Sequence, residues 1–297
     1  MRLNKIGEFG LIEVFKKMIK LDRSVVVGPG DDCAVIKFNA NEYLLYTCDM
    51  ITEGVDFVSK DKPELIGRKA LAVSLSDIAA CGGIPRYAVV SMGLPKKFIG
   101  KAQKIAKGLF DLAKSYKVNV VGGDLSRSSR LTIDVSMSGV VEKNKLVLRS
   151  GARAGDIVFV TGELGRSILG KHLKFTPRLK ESRFLVDNFK INSMIDISDG
   201  LTQDLSHILK ASNVGCAIYE TLIPRGRLAR NLADALYGGE EFELLFTLSR
   251  KEAKRLAFKK KQVFKPIGEI VGKDYGFRLI DKDNNETTIK PKGWRHF

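Results

Sequence analysis

The sequence predicts a chain of two mixed α/β domains, 1–145 and 146–297. Three observations point there. Strand-like and helix-like apolar stretches alternate along the whole chain. A polar turn, Arg149 to Asp156 with Gly151 and Gly155, follows the alternating run Leu131–Val141, and the pattern then starts afresh. The length of 297 residues, with 44% hydrophobic and 28% charged content, suits one large or two ordinary soluble domains.

Phe9, Ile12, Phe15 and Ile19 recur at helical spacing and predict a first helix over 8–20. Val25–Val27, Ala34–Phe38 and Tyr43–Asp49 read as strands between Gly, Asn and Asp turns. Glu64–Ala80 is an Ala- and Leu-rich helix stopped by Gly82-Gly83 and Pro85. Strand 87–94, helix 98–117, strand 118–121 and strand 131–141 complete the first half. In the second, strand 157–161 precedes helices near 164–172 and 182–189. Strand 194–197 leads into helix 201–212, and strands 242–248 and 264–270 follow.

No apolar stretch approaches the ~20 residues that span a bilayer, and Met1–Gly10 lacks a signal-peptide core. The protein is expected to be cytoplasmic. Cys33, Cys48, Cys81 and Cys216 form no C-x-x-C pair, and there are three histidines, which argues against structural zinc. The net charge of +16 raises a nucleic-acid reading. A solvated lysine-rich surface, or attraction for anionic nucleotides, is preferred, because no nucleic-acid fold motif accompanies the charge. The densest basic run, Lys251–Lys261, also carries Leu256 and Phe258, as an amphipathic surface helix does.

Six segments place acids at turns or at the ends of apolar runs: Gly28-Pro29-Gly30-Asp31-Asp32, Thr47-Cys48-Asp49, Leu75-Ser76-Asp77, Gly122-Gly123-Asp124, Asp196-Ile197-Ser198-Asp199 and Gly238-Gly239-Glu240-Glu241. Most of them, taken singly, also read as turns or caps. Asp77 differs, because it sits inside an apolar helix, where an unpaired carboxylate is expensive. Crowded acids repel unless cations neutralise them, so a shared site predicts a magnesium–phosphate centre. Gly165–Lys171 matches the start of a phosphate loop, but His172 stands where Ser or Thr would hold magnesium; a chance match in a helix is preferred.

In this order the segments closely resemble thiamine-monophosphate kinases. The resemblance runs from Gly7-Glu8-Phe9 through Lys69–Ala80, Arg149-Ser150-Gly151-Ala152 and Asp196–Leu201 to Gly293–Phe297. It implies the two-domain fold of aminoimidazole ribonucleotide synthetase, with the amino-terminal domain dimerising through its sheet. It also implies direct transfer of the ATP γ-phosphoryl group to thiamine monophosphate, assisted by several Mg2+ ions. The metal set it implies is Asp32, Thr47, Cys48, Asp49, Asp77, Asp124, Asp196 and Asp199, with Asp49, Asp77 and Asp124 at the transfer itself. ATP falls to Gly123, Asp124, Arg149 and Ser198, and thiamine monophosphate to Asp56, Glu240 and Trp294.

Departures from the family pattern are Asp56 for a histidine, Glu241 for an aspartate and Leu125 for a hydroxyl residue. A selenophosphate synthetase or a hydrogenase-maturation carbamoyl dehydratase would share the fold. The former is expected to need a reactive residue before Cys33, and the latter a cysteine tail where this chain has Phe297.

Overall fold

The computed structural model describes residues 7–259 and 263–294, so Lys260, Lys261 and the closing Arg295-His296-Phe297 lie outside it. Helix α1 (Gly7–Met18) precedes a six-stranded sheet of β1 (Val25–Val27), β2 (Ala34–Lys37), β3 (Glu42–Thr52), β4 (Ile84–Leu94), β5 (Asn119–Arg127) and β6 (Thr132–Glu142). Its order is β1-β2-β3-β6-β4-β5, antiparallel except for the parallel pair β4–β5. Side chains alternate across such a sheet. Leu45, Ile51, Ile133, Val135, Met137, Ala88 and Met92 therefore point inward and are buried. Tyr46, Met50, Tyr87 and Val89, on the opposite face, are exposed.

Helix α2 (Pro63–Ala80) covers the inner face and is buried along most of its length. Helix α3 (Ala102–Ser115) packs against it at unusually close range. A Cβ on Gly67 would lie 1.8 Å from the Ile105 carbonyl oxygen, and one on Gly108 would lie 1.8 Å from that of Glu64. Each helix thus offers the other a bare glycine backbone.

A seven-stranded sheet follows, ordered β13-β12-β9-β11-β7-β10-β8. Its strands are β7 (Asp156–Thr161), β8 (Ile191–Asp196), β9 (Gly215–Tyr219), β10 (Leu244–Ser249), β11 (Phe264–Val271), β12 (Phe277–Ile280) and β13 (Glu286–Thr288). One face packs α5 (Leu201–Ser212) and α6 (Leu232–Tyr237) through Val158, Val160, Ile195 and Leu245. The other places Phe159, Met194 and Phe246 in one apolar cluster with α2 and α4 (Leu179–Asn188). Helix α2 therefore lies between the two sheets, and this decides where its polar residues point. Helix α7 (Arg250–Phe258) takes in the basic run as far as Phe258.

Three local expectations change. Gly122-Gly123-Asp124 lies within β5 rather than after a strand, opposite Val89, Val90 and Ser91. Residues 164–172 form only short 3-10 turns at 167–169 and 171–173. Left-handed Gly165, Arg166 and Gly170, with φ of +112°, +62° and +130°, break the helix. Part of the expected helix 98–117 is also a 3-10 segment, Lys96–Lys101. Periodicity does not reveal strands β9, β12 and β13 or helix α6, which are short and bounded by weak turn signals.

Candidate active site

Strand β3 and helix α2 form the floor of the site. Alternation on β3 turns Thr47 and Asp49 inward, where the Thr47 hydroxyl donates to Asp77 Oδ2 and Ser74 donates to Asp49 Oδ2 at 2.8 Å. From the second sheet, β8 ends at Asp196, whose Oδ2 accepts the Ser76 hydroxyl at 2.6 Å. The turn before β2 adds Asp32, paired with Arg149 Nη2 at 2.8 Å. The Arg149 backbone N–H donates to Asp31 at 3.0 Å.

Asp32, Asp77 and Asp196 offer carboxylate oxygens that all lie within 4.8 Å of one another. Among the described residues, the buried Oδ2 of Asp32 has no hydrogen-bond partner. Burial raises the Asp196 carboxyl to about 8, with the Asp32 charge adding to it. Burial likewise lifts Asp49 to about 6 and Asp31 to about 7, and it lifts Asp77 well above the usual range, reinforced by Asp49 and Asp196. Such a cluster holds protons until a cation replaces them. Hard carboxylate oxygens with an unpaired buried oxygen among them fit magnesium.

A second group of ligating atoms, from Asp199, Asp204 and His207, lies at the start of α5. There Asp204 Oδ2, from the first turn of the helix, reaches back to accept the backbone N–H groups of Asp199 at 3.1 Å and Gly200 at 3.0 Å, which ties the 199–200 turn to α5. Burial, with the Arg149 charge, lowers His207 to about 4 and keeps the ring neutral.

Beside the acid cluster opens a cavity of about 460 Å³ lined by Asp49, Lys69, Ser198, Asp199, Glu240 and Trp294, among others. Glu240 sits on a left-handed backbone, φ +61°, and its N–H donates to the Ser198 carbonyl at 2.6 Å. Strain of this kind in a non-glycine residue clusters at functional sites. Its neighbour Glu241 turns away and clamps the 165–171 loop, accepting from the N–H of Gly165 at 2.8 Å and from Lys171 at 2.9 Å. Asp56 lines the same cavity, with its carboxylate accepting the Thr52 N–H at 2.7 Å. Trp294 closes the mouth at 51% exposure.

The structure thus brings together Asp32, Thr47, Asp49, Asp77, Asp196, Ser198, Asp199, Arg149, Glu240 and Trp294. It does not bring Cys48 or Asp124 to them. Both side chains belong to the outer face of the first sheet, where Cys48 contacts Asp134 at 3.2 Å. Asp124 lies in a row with Ser91, Asp134 and Met50, three strands and roughly 14 Å from β3. Gly123 packs on Val90, whose oxygen a Cβ would meet at 1.9 Å. Sequence reasoning missed Ser74, Ser76 and Lys69. The signal available was the helical spacing that puts Lys69, Val73, Ser76 and Asp77 along one side of α2.

Residues 30–141 match the amino-terminal domain of AIR synthase related proteins and residues 153–280 match the carboxy-terminal domain, so the two sheets belong to the two domains of that class. The thiamine-monophosphate kinase of Buchnera aphidicola subsp. Acyrthosiphon pisum is 36% identical, with 99% of each chain covered. That of Bacillus subtilis is 34% identical over 98% of this chain and all of its own. A solved structure described as AaThiL complexed with AMPPCP and TMP superposes with a TM-score of 0.87 at 31% identity, covering 100% of this chain and 99% of that one. This chain belongs to the thiamine-monophosphate kinase family.

Proposed function

We propose that this chain uses ATP and magnesium to phosphorylate thiamine monophosphate, giving thiamine diphosphate and ADP. The observation that carries the reading is the contact between two features. A cluster of carboxylates too crowded to be ionised alone opens onto a cavity walled by an acid and an aromatic side chain. The bond from the γ-phosphorus to its bridging oxygen breaks as an oxygen of the acceptor phosphate attacks. Such a transfer asks the protein for positioning and charge neutralisation rather than covalent participation.

Asp32, Thr47, Asp49, Asp77, Asp196 and Asp199 would hold the magnesium ions. When bound, these supply neutralisation for two anionic phosphates that would otherwise repel. Arg149 and Ser198 face the ATP side, and Arg149 has guanidinium donors that suit phosphate oxygens. Glu240 and Trp294 receive the thiamine moiety, with the indole offering a face to its cationic ring. The excess of basic residues draws anionic substrates from solution.

We further assign the outer face of the first sheet to a second copy of the chain, because Tyr46, Met50, Tyr87 and Val89 expose apolar surface there. Cys48 and Asp124, with Gly123 beside it, would then lie at that interface as the remaining metal and nucleotide contacts. Among the described residues no helix is long and apolar enough to cross a membrane, and a cytoplasmic enzyme is the reading we adopt.

The test is turnover with a panel of phosphate acceptors in the presence and absence of magnesium. Thiamine diphosphate is the expected product, and its formation should stop on chelation. Purified, folded protein that neither binds nor phosphorylates thiamine monophosphate would overturn the reading. Sedimentation should give a dimer, and Val89→Asp should give a monomer.

A further inference from the structure

Helix α2 presents two charged residues to the site. Asp77 meets the acid cluster, and Lys69, eight positions earlier and about 12 Å along the axis, reaches the cavity at its other end. Lys69 is 0% exposed, one of the largest fully buried side chains among the described residues. A buried ammonium needs partners. Its Nζ donates to the Asp56 carbonyl at 2.7 Å and to Glu240 Oε1. The remaining oxygen of that carboxylate, Oε2, is buried and has no hydrogen-bond partner among the described residues.

A plain structural salt bridge between domains would satisfy both carboxylate oxygens, since an orphaned buried acceptor is costly. Here the two oxygens are divided. One is fixed by Lys69, and the other belongs to a residue lining the cavity. The left-handed backbone of Glu240, held by its N–H bond to Ser198, fixes the carboxylate from the other side. A buried ion pair is seldom the most stable filling for its space, so its retention beside a cavity points to a role in presenting the free oxygen. Burial pushes the Glu240 carboxyl up, and the Lys69 charge opposes this. Without Lys69 that opposing charge is lost and the carboxyl is pushed further up.

We propose that Lys69 is a positioning residue for the acceptor substrate: it locks Glu240 by one oxygen so that the other accepts an N–H of the aminopyrimidine. The inference rests on the proposed thiamine monophosphate kinase activity and adds a residue that acts through Glu240 without touching the ligand itself.

The test compares wild type, Lys69→Met, Glu240→Gln and the double variant, with separate KM values for thiamine monophosphate and ATP and with kcat. Lys69→Met should raise KM for thiamine monophosphate at least about 10-fold while KM for ATP stays within about 2-fold. The double variant should bind thiamine monophosphate no worse than Glu240→Gln, because Lys69 then has nothing left to hold. An unchanged KM for thiamine monophosphate in folded Lys69→Met would overturn the proposal. So would a further rise of about 10-fold on adding Lys69→Met to Glu240→Gln. This second comparison holds even if the single lysine variant fails to fold. Wild-type protein inactive on thiamine monophosphate overturns the kinase reading first, and so is told apart from a failure of the Lys69 assignment alone.

Discussion

Ser76 donates its hydroxyl to Asp196 Oδ2 at 2.6 Å, joining helix α2 on the first sheet to the end of β8 on the second. Both residues are buried. The bond sets one acid of the cluster at a fixed height above the other two, so the site depends on how the two domains meet. Ser76→Ala should cost about 1–2 kcal/mol of stability, the usual effect of stranding a buried acceptor. It should also weaken magnesium binding, because the hydroxyl holds the Asp196 carboxyl lower than burial alone would. Chemical denaturation and magnesium titration check the two effects. Unchanged magnesium affinity would show that Asp196 does not bind the metal.

Asp77→Asn keeps an acceptor oxygen for Thr47 but removes a charge from the centre of the cluster. Turnover should fall by about 100-fold or more, since transition-state charge loses a metal anchor. The metal-free protein should be at least as stable as wild type, because a desolvated carboxyl is gone. A near-normal rate would remove Asp77 from the metal set.

The raised carboxyls predict an uncommon pH response. A folded pKa above the unfolded value near ~4 means that the native state binds more protons than the unfolded one, so stability falls as pH rises. For the metal-free protein that decline should run from about pH 5 through the Asp49 value of about 6 and the Asp31 value of about 7 to the Asp196 value of about 8. Magnesium displaces the protons of Asp49 and Asp196, so its stabilising effect should grow over the same window. Thermal melting at about pH 6 and about pH 8, with and without magnesium, tests this. A magnesium shift independent of pH would contradict it.

Gly108→Ala should destabilise the protein by about 2 kcal/mol or more, because the new methyl would meet the Glu64 carbonyl of the facing helix. Gly100→Ala, whose methyl would have nothing within 4 Å, provides a control in the preceding segment. Denaturant midpoints of the two variants make the comparison, and equal midpoints would mean that α3 can move away from α2.

Much of this site is legible in the chain because most of its acids stand beside a glycine or at the end of an apolar run, and Asp77 stands out inside an apolar helix. Alternation on β3 already separates Thr47 and Asp49 from Cys48. Residues 164–172 read as a helix because three left-handed positions leave little trace in apolar spacing. Lys69 escapes notice because a lysine in an Ala-rich helix ordinarily points to solvent, and only the second sheet packed over α2 denies it that.

By itself the sequence determined the mixed α/β class, most of the longer elements and the set of acids available for magnesium, since these follow from periodicity and residue chemistry along a local stretch. Only the tertiary structure decided which acids meet. Asp32, Asp77 and Asp196 come from separate segments and converge because α2 is sandwiched between two sheets, while Asp124, on the opposite face of β5, is carried away from them by the pleat of its own strand.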